Sequence, residues 1–180
     1  MKALLDACVL YPTVLREILI GVARAGLYTP LWSERILEEW ARATVKLGPG
    51  AELVARGEIA ALRTEFAKAA VPPREGLEAR LWLPDPADVH VLAAAIAGNA
   101  DLILTFNAAD FPRHTLAEEG LRREDPDAFL MALWQDHPEA VADAVEPVRA
   151  EAERLSGAPQ PVRPLLKRAR LPRLGKMLAG

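Results

Sequence analysis

The sequence predicts an α/β protein built on a parallel sheet, and three observations carry that expectation. Ala3 to Leu5 and Leu102 to Thr105 are short, mostly apolar runs without polar alternation, the pattern of strands buried on both faces. Segments with apolar residues at helical spacing lie between and after them, closed by Gly or Pro. Each run then gives way to polar groups, Asp6 after the first and Asn107 and Asp110 after the second. Open α/β sheets carry functional groups at such carboxyl ends.

Taken in order, Ala3–Leu5 is the first strand. Thr13 can cap a helix through Leu15, Ile18, Leu19 and Val22 that closes at Gly26. Leu27 to Leu31 reads as a short second strand containing Pro30. Ser33 caps a helix whose apolar stripe is Ile36, Trp40, Ala43 and Leu47, stopped by Gly48-Pro49. Ala51 to Ala70 reads as a helix with Leu53, Leu62 and Phe66 as its apolar residues, weakened by Gly57. Val71 to Pro84 is a connector. Asp85-Pro86 opens the next helix, which ends near Gly98-Asn99 and feeds the strand at Leu102. A polar turn, Asn107 to Pro112, follows. Gly120 to Glu124 reads as an edge strand and Asp125-Pro126-Asp127 as a helix start. His137-Pro138 breaks that helix, a more acidic helix runs to about Leu155, and Gly157 to Pro164 is a Pro-rich linker. The tail beyond it carries Arg163, Lys167, Arg168, Arg170, Arg173 and Lys176 without an acid. Such a tail suits either a phosphate-contacting segment or a solvated, disordered end.

Composition narrows the function classes. A chain of 180 residues can bury a real core, and 51% apolar with 26% charged residues is ordinary for a globular protein. The net charge of −3 gives no global basic signature, so a nucleic-acid partner would need a local patch. One cysteine, Cys8, excludes an internal disulfide and fits a reducing cytoplasm. Asp6 interrupts the first apolar run and Arg16-Glu17 follows closely, unlike a signal segment. No apolar stretch approaches the roughly 20 residues that span a bilayer. A soluble, cytoplasmic protein without membrane contact is therefore expected. There is no G-x-x-x-x-G-K, no G-x-S-x-G and no metal-spaced Cys/His cluster. His90, His114 and His137 are scattered and read as exposed or packed. Cys8 reads as a small core residue.

The acids are more informative. Leu83 to Pro112 holds Asp85, Asp88, Asp101 and Asp110 and no Lys or Arg, in a chain that has 22 of them. Carboxylates gathered without cations repel one another unless a proton or a metal intervenes. Oxygen donors of this kind suit Mg²⁺ or Mn²⁺. Most of these acids also have a structural role open to them: Asp85 as helix cap, Asp88 in a capping-box variant, Asp101 at a strand start, Asp110 closing a turn. Asp6, directly after a buried strand, is hardest to explain structurally. On the Ser33 helix, Glu39 lies about 40° from the edge of the apolar stripe and Glu38 nearly opposite its centre. Glu39 is thus expected to lean inward and Glu38 to face water.

Four segments then occur in a familiar order. LLDACVLYP around Asp6, SERILEEW around Glu39, DPADVHVLAAAI around Asp88 and LILTFNAADFP resemble the ordered motifs of PIN-domain nucleases. They are most similar to the VapC-like ribonuclease toxins of type II toxin–antitoxin pairs. The resemblance covers residues 1–130, including the PDAFL segment. It implies a three-layer α/β/α nuclease domain over 1–130, with 131–180 left as a helical C-terminal extension bearing the basic tail. It also implies Mg²⁺ or Mn²⁺ held by Asp6, Glu39, Asp88 and an acid after the last strand, hydrolysing RNA phosphodiesters through metal-activated water. The family's glutamate falls on Glu39. Many relatives carry an acid where this chain has Asn107, so Asn107 and Asp110 compete for the fourth position. RNA and a cognate antitoxin protein are the implied partners, and a homodimer is compatible with the pattern. A structure-specific DNA nuclease of the same chemistry and a catalytically weak RNA-binding module are the alternatives.

Overall fold

Four strands, β1 (Lys2–Leu5), β2 (Thr29–Leu31), β3 (Leu102–Leu104) and β4 (Arg122–Glu124), form one parallel sheet in the order β2-β1-β3-β4. The helices of the first half are α1 (Ala7–Leu10), α2 (Thr13–Arg24), α3 (Glu34–Ala43), α4 (Ala51–Glu65) and α5 (Val89–Ala97). Those of the second half are α6 (Arg113–Glu118), α7 (Pro126–Asp136), α8 (Pro138–Ser156), α9 (Val162–Arg168) and α10 (Pro172–Leu178). A computed structural model describes all of residues 1–180. The fold class is the expected one, a parallel sheet with α/β/α layering and a helical C-terminal region. No helix is long and apolar enough to cross a membrane.

The chain divides into two units, residues 1–11 with 29–124 and residues 12–28 with 125–180. In the first unit β1 pairs with β3 in the register Ala3↔Leu102, Leu4↔Ile103 and Leu5↔Leu104, and all six of these side chains are fully buried. This is why both runs lack polar alternation. Asp101, at the start of β3, accepts a hydrogen bond from the Lys2 backbone N–H through Oδ2 at 2.6 Å. It therefore tacks the beginnings of β1 and β3 together, at the opposite end from Asp6.

Several local expectations need correction. Ser33 caps α3 as expected, its Oγ accepting from Ile36 N–H at 3.2 Å. After Ala43, however, the chain tightens into a 3-10 turn, Thr44–Leu47, which swings Leu47 out to 65% exposure. The buried face of α3 is instead Ile36, Leu37, Trp40 and Ala41. In α4 the packed face is Ala55, Ile59 and Leu62, at steps of four and three, while Leu53 is 76% exposed. Gly57 occupies the outer side of α4, where an added Cβ would meet nothing within 4 Å. Gly57→Ala should therefore raise stability by about 0.5–1 kcal/mol, read as a shifted urea midpoint at unchanged slope. A midpoint at or below wild type would contradict this packing of α4.

At the end of α5 it is Asn99, with φ of 49°, that takes the left-handed conformation, while Gly98 stays right-handed. Gly98 is needed for a different reason. A Cβ there would lie 2.8 Å from Val71 Cγ2 and 3.0 Å from Leu31 Cδ1.

In the second unit α2 begins at Thr13 itself, and Pro12 occupies the cap position without a side-chain bond. Gly21 lets α2 and α8 approach closely, since a Cβ there would lie 3.1 Å from Ala144 Cβ. Tyr28 donates its hydroxyl to Leu19 C=O at 3.0 Å and meets the Phe129 ring edge-on at 5.0 Å. The basic tail is folded. Leu165, Leu166, Leu171 and Leu174 are buried along α9 and α10. The first turn of α10 is held by Asp127, a buried carboxylate at the start of α7.

Candidate functional site

The site lies in the first unit, where β1 and β3 end side by side. Strand order reverses direction here, with β2 beyond β1 on one side and β4 beyond β3 on the other. This is the crevice position where open α/β sheets place ligands. The Asp6 backbone N–H donates to Leu104 C=O at 3.1 Å, extending the ladder by one step and fixing the carboxylate beside Thr105. Asp6 is only 7% exposed. Its Oδ2 accepts the Thr105 hydroxyl at 2.7 Å and the Cys8 thiol at 3.2 Å, while Oδ1 has no hydrogen bond. Burial and the neighbouring Asp6 charge push the Cys8 thiol up to about 12. Cys8 is therefore a protonated donor and not a nucleophile. Thr105 Oγ1 in turn accepts the Asn107 backbone N–H at 3.0 Å, tying the turn after β3 to Asp6.

Asp88 closes a 3-10 turn, Pro86–Asp88, that leads into α5. Asp85 caps that turn, its Oδ1 accepting Ala87 N–H at 2.9 Å. The cap role does not remove Asp85 from the site. One carboxylate oxygen from each of Asp85, Asp88 and Asp110 lies within 4.8 Å of the others. Asn107 bridges two of these acids, its Nδ2 donating to Asp88 Oδ2 at 3.2 Å and to Asp110 Oδ2. Asn107 and Asp110 thus stand together instead of excluding one another.

Glu39 approaches from α3. Its Oε1 lies 2.8 Å from Nε2 of His90 and 3.6 Å from Nε of Arg35. Both His90 ring nitrogens are nevertheless buried without a formed hydrogen bond, so the short Nε2–Oε1 distance is a close approach off the N–H direction. Burial, with Arg35 adding to it, lowers the His90 pKa to about 4, so the ring is neutral. Glu38 and Glu39 are almost equally exposed, at 38% and 40%. Overall exposure does not separate them, but surroundings do, since Glu39 lies against the buried His90 and Glu38 against the exposed Arg42 and Arg56. Glu38 is bound by Arg56 and Arg42, which hold it near 2. Glu39 is raised by desolvation and by the Asp6 and Asp88 charges, against the pull of Arg35.

Asp88 is the member shared by all these groups. Desolvation first, then the charges of Asp6, Asp85 and Asp110, raise it from 3.8 to about 6. No Lys or Arg pairs with Asp6, Asp85, Asp88 or Asp110. The all-oxygen donor set of Asp85, Asp88 and Asp110, with excess negative charge, fits a hard divalent cation, and Asp6 stands near enough for its charge to raise both Asp88 and Glu39. Sequence reading missed three participants. Asp85 looked like a cap alone, Thr105 contacts Asp6 across 99 residues of separation, and Cys8, two residues from Asp6, has no local pattern that marks it as a donor.

The raised Asp88 has a measurable consequence without any ligand. Its folded pKa exceeds its unfolded value, so the native state holds more protons than the unfolded state between them. In chelator-treated protein this group's contribution to stability therefore falls as pH rises from about 4 through about 6. Urea midpoints at the two ends of that window, with and without Mg²⁺, check this. Mg²⁺ should recover the loss, and Asp88→Asn should remove the slope. A chelated wild type that is flat or gains stability over this window would contradict the electrostatic account.

The family model described as the PIN domain matches residues 2–109. Neither the curated proteins nor the solved structures yielded a match.

Proposed function

The chain belongs to the PIN-domain family, and from that premise we propose that it is a metal-dependent endoribonuclease, the toxin of a toxin–antitoxin pair. The observation that carries the nuclease reading is the gathering of Asp85, Asp88 and Asp110 within 4.8 Å of one another, with the Asp6 charge bearing on Asp88 from the end of β1. Asp6, Asp88, Glu39 and Asp110 would hold Mg²⁺ or Mn²⁺. Such an ion, when bound, lowers the pKa of a water and neutralises charge on a phosphoryl oxygen.

The chain's own residues supply the rest. Thr105 and Cys8 fix the Asp6 carboxylate by donating to one of its oxygens, leaving the other for a ligand. Asn107 holds Asp88 and Asp110 at a set spacing through its amide N–H groups. Glu39, with its raised pKa, can accept a proton near neutral pH better than an ordinary exposed glutamate. His90 stands against Glu39 from the buried side and limits its rotation. RNA as substrate and an antitoxin that covers the site are supported by the VapC-like order of the four motifs.

The test uses purified protein with single-stranded RNA, structured RNA and branched DNA, each with Mg²⁺, with Mn²⁺ and with EDTA. Cleavage of RNA that needs the ion is expected. Cleavage surviving EDTA would sink the metal mechanism. Preference for branched DNA would replace the substrate assignment. Tight RNA binding with no turnover under either ion would make the chain a binding module.

A further inference from the structure

A cavity of about 710 Å³ adjoins the acidic site and lies between the start of α3, the segment 70–74 and one face of α5. Two of its lining residues, Arg35 and His90, are also the residues that touch Glu39, so cavity and site share a wall. On the α5 side the lining is Ala93, Ala94 and Ala97, whose methyl groups leave space that larger side chains would fill. Across from them Pro72 and Pro73 bring rigid rings and no N–H groups. These two walls are therefore apolar and made without flexible side chains. Two guanidinium groups and two carboxylates also line the cavity, Arg35 and Arg74 with Glu34 and Glu78, and Glu34 is paired with Arg63. Arg74 has no ion pair, and Arg35 has only long ones, 3.6 Å to Glu39 and 3.9 Å to Glu78.

We propose that this cavity receives one nucleobase of the substrate strand, with a flanking phosphate meeting Arg74. The inference rests on the nuclease reading, and it assigns that site a base-specificity pocket. Its volume lies within the roughly 300–1,000 Å³ of small-molecule sites. The faces of a base are flat and apolar, matching the Ala and Pro surfaces, whereas its attached phosphates require cations at the mouth. A purely apolar occupant, such as a leucine side chain of a protein partner, would leave the Arg74 guanidinium without an anion. The Ser33 hydroxyl, whose oxygen already accepts from Ile36 N–H, keeps its proton free to donate to a base edge. Because His90 and Arg35 reach Glu39, a base held here sets the adjoining phosphodiester beside the carboxylates. The identity of that base then becomes a determinant of where the strand is cut.

The test is methyl NMR on alanine-labelled full-length protein in EDTA, so that no cleavage occurs. The probes are the four nucleoside 5′-monophosphates, ribose 5-phosphate and N-acetyl-leucinamide. At least one monophosphate is expected to shift the Ala93, Ala94 and Ala97 methyls saturably, and the other two probes are not. Ala97→Leu, which fills the cavity, should abolish the shifts. Arg74→Gln should weaken the same binding by about threefold to fivefold at low salt. The proposal is overturned if no monophosphate moves these methyls, or if ribose 5-phosphate moves them equally. It is also overturned if N-acetyl-leucinamide alone saturates them, which would assign the cavity to a protein side chain. None of these readouts needs metal or turnover, so an inactive but base-binding protein would sink the nuclease reading alone.

Discussion

Replacing Asp6 with Asn is expected to lower ion-dependent cleavage by about 10²–10³-fold while leaving the protein at least as stable as wild type. The size corresponds to about 2.7–4 kcal/mol, the usual effect of deleting one preorganised charged group from an active site. Stability should not suffer, for reasons visible around the side chain. Asparagine keeps an oxygen that can accept from the Thr105 hydroxyl and the Cys8 thiol, so the buried bonds survive. It also removes a negative charge that raises both Glu39 and Asp88. The pKa of Asp88 should accordingly fall from about 6 toward the ordinary carboxylate range in this variant, as an NMR titration would read. Glu38→Gln is the matched control, because Glu38 is engaged by Arg42 and Arg56 and faces away from these acids electrostatically. Asp6→Asn cleaving at the wild-type rate would remove Asp6 from the machinery. Loss of fold in Asp6→Asn would contradict the expectation that the Thr105 and Cys8 bonds survive the substitution.

The second large effect concerns stability alone. Asp127 is 4% exposed, and its carboxylate accepts the Arg173 backbone N–H at 3.0 Å, the Leu174 backbone N–H at 3.1 Å and Arg173 Nε at 3.2 Å. Pro172 opens α10 and has no N–H, so these are the first two donors of that helix, normally satisfied by its own cap. Here a residue 46 positions earlier does the capping. Asp127→Ala leaves those N–H groups without partners and Arg173 without its closest acid. A loss of about 2–4 kcal/mol is expected, read as a lower urea midpoint and as faster proteolysis within residues 169–180. A change under about 0.5 kcal/mol would show that α10 holds its place through Leu171 and Leu174 alone.

Much of the sheet was legible because buried parallel strands leave an unmistakable pattern. Leu4, Leu5, Ile103 and Leu104 are completely buried, and no polar residue interrupts them. Caps were legible where the capping residue is local, as at Ser33, Asp85 and Asp125. Other elements were set by partners distant in sequence. The phase of α4 follows Ala55, Ile59 and Leu62, and the larger Leu53 misled because size outweighed spacing in choosing the face. The short α6 lacks a clear periodic stripe, with only Leu116 buried. The order of the tail depends on Asp127, which looks like an ordinary first-turn acid until α10 is placed against it.

The candidate site divides the same way. Asp6, Glu39, Asp88 and Asp110 could be named from strand ends and helix phase, since those positions follow from element boundaries. That Asp85 both caps its turn and joins Asp88 and Asp110 was not readable, because a single carboxylate satisfies both roles only in three dimensions. The same holds for Asn107, whose amide stands between two acids and compensates part of their repulsion. The Glu38–Glu39 distinction survives in a changed form. It rests on the groups each carboxylate meets, with desolvation the first cause of the raised Glu39 pKa and the Arg56 and Arg42 bonds the first causes of the lowered Glu38 pKa.

Calorimetric titration of Mn²⁺ into chelator-stripped wild type, Asp88→Asn and Glu38→Gln at pH 7.5 tests the central claim most directly. Saturable binding by wild type and Glu38→Gln, with proton release that grows as pH is lowered toward 6, is the predicted result, and Asp88→Asn should lose it. Equal binding by Asp88→Asn, or none by wild type, would contradict an ion site built on Asp6 and Asp88.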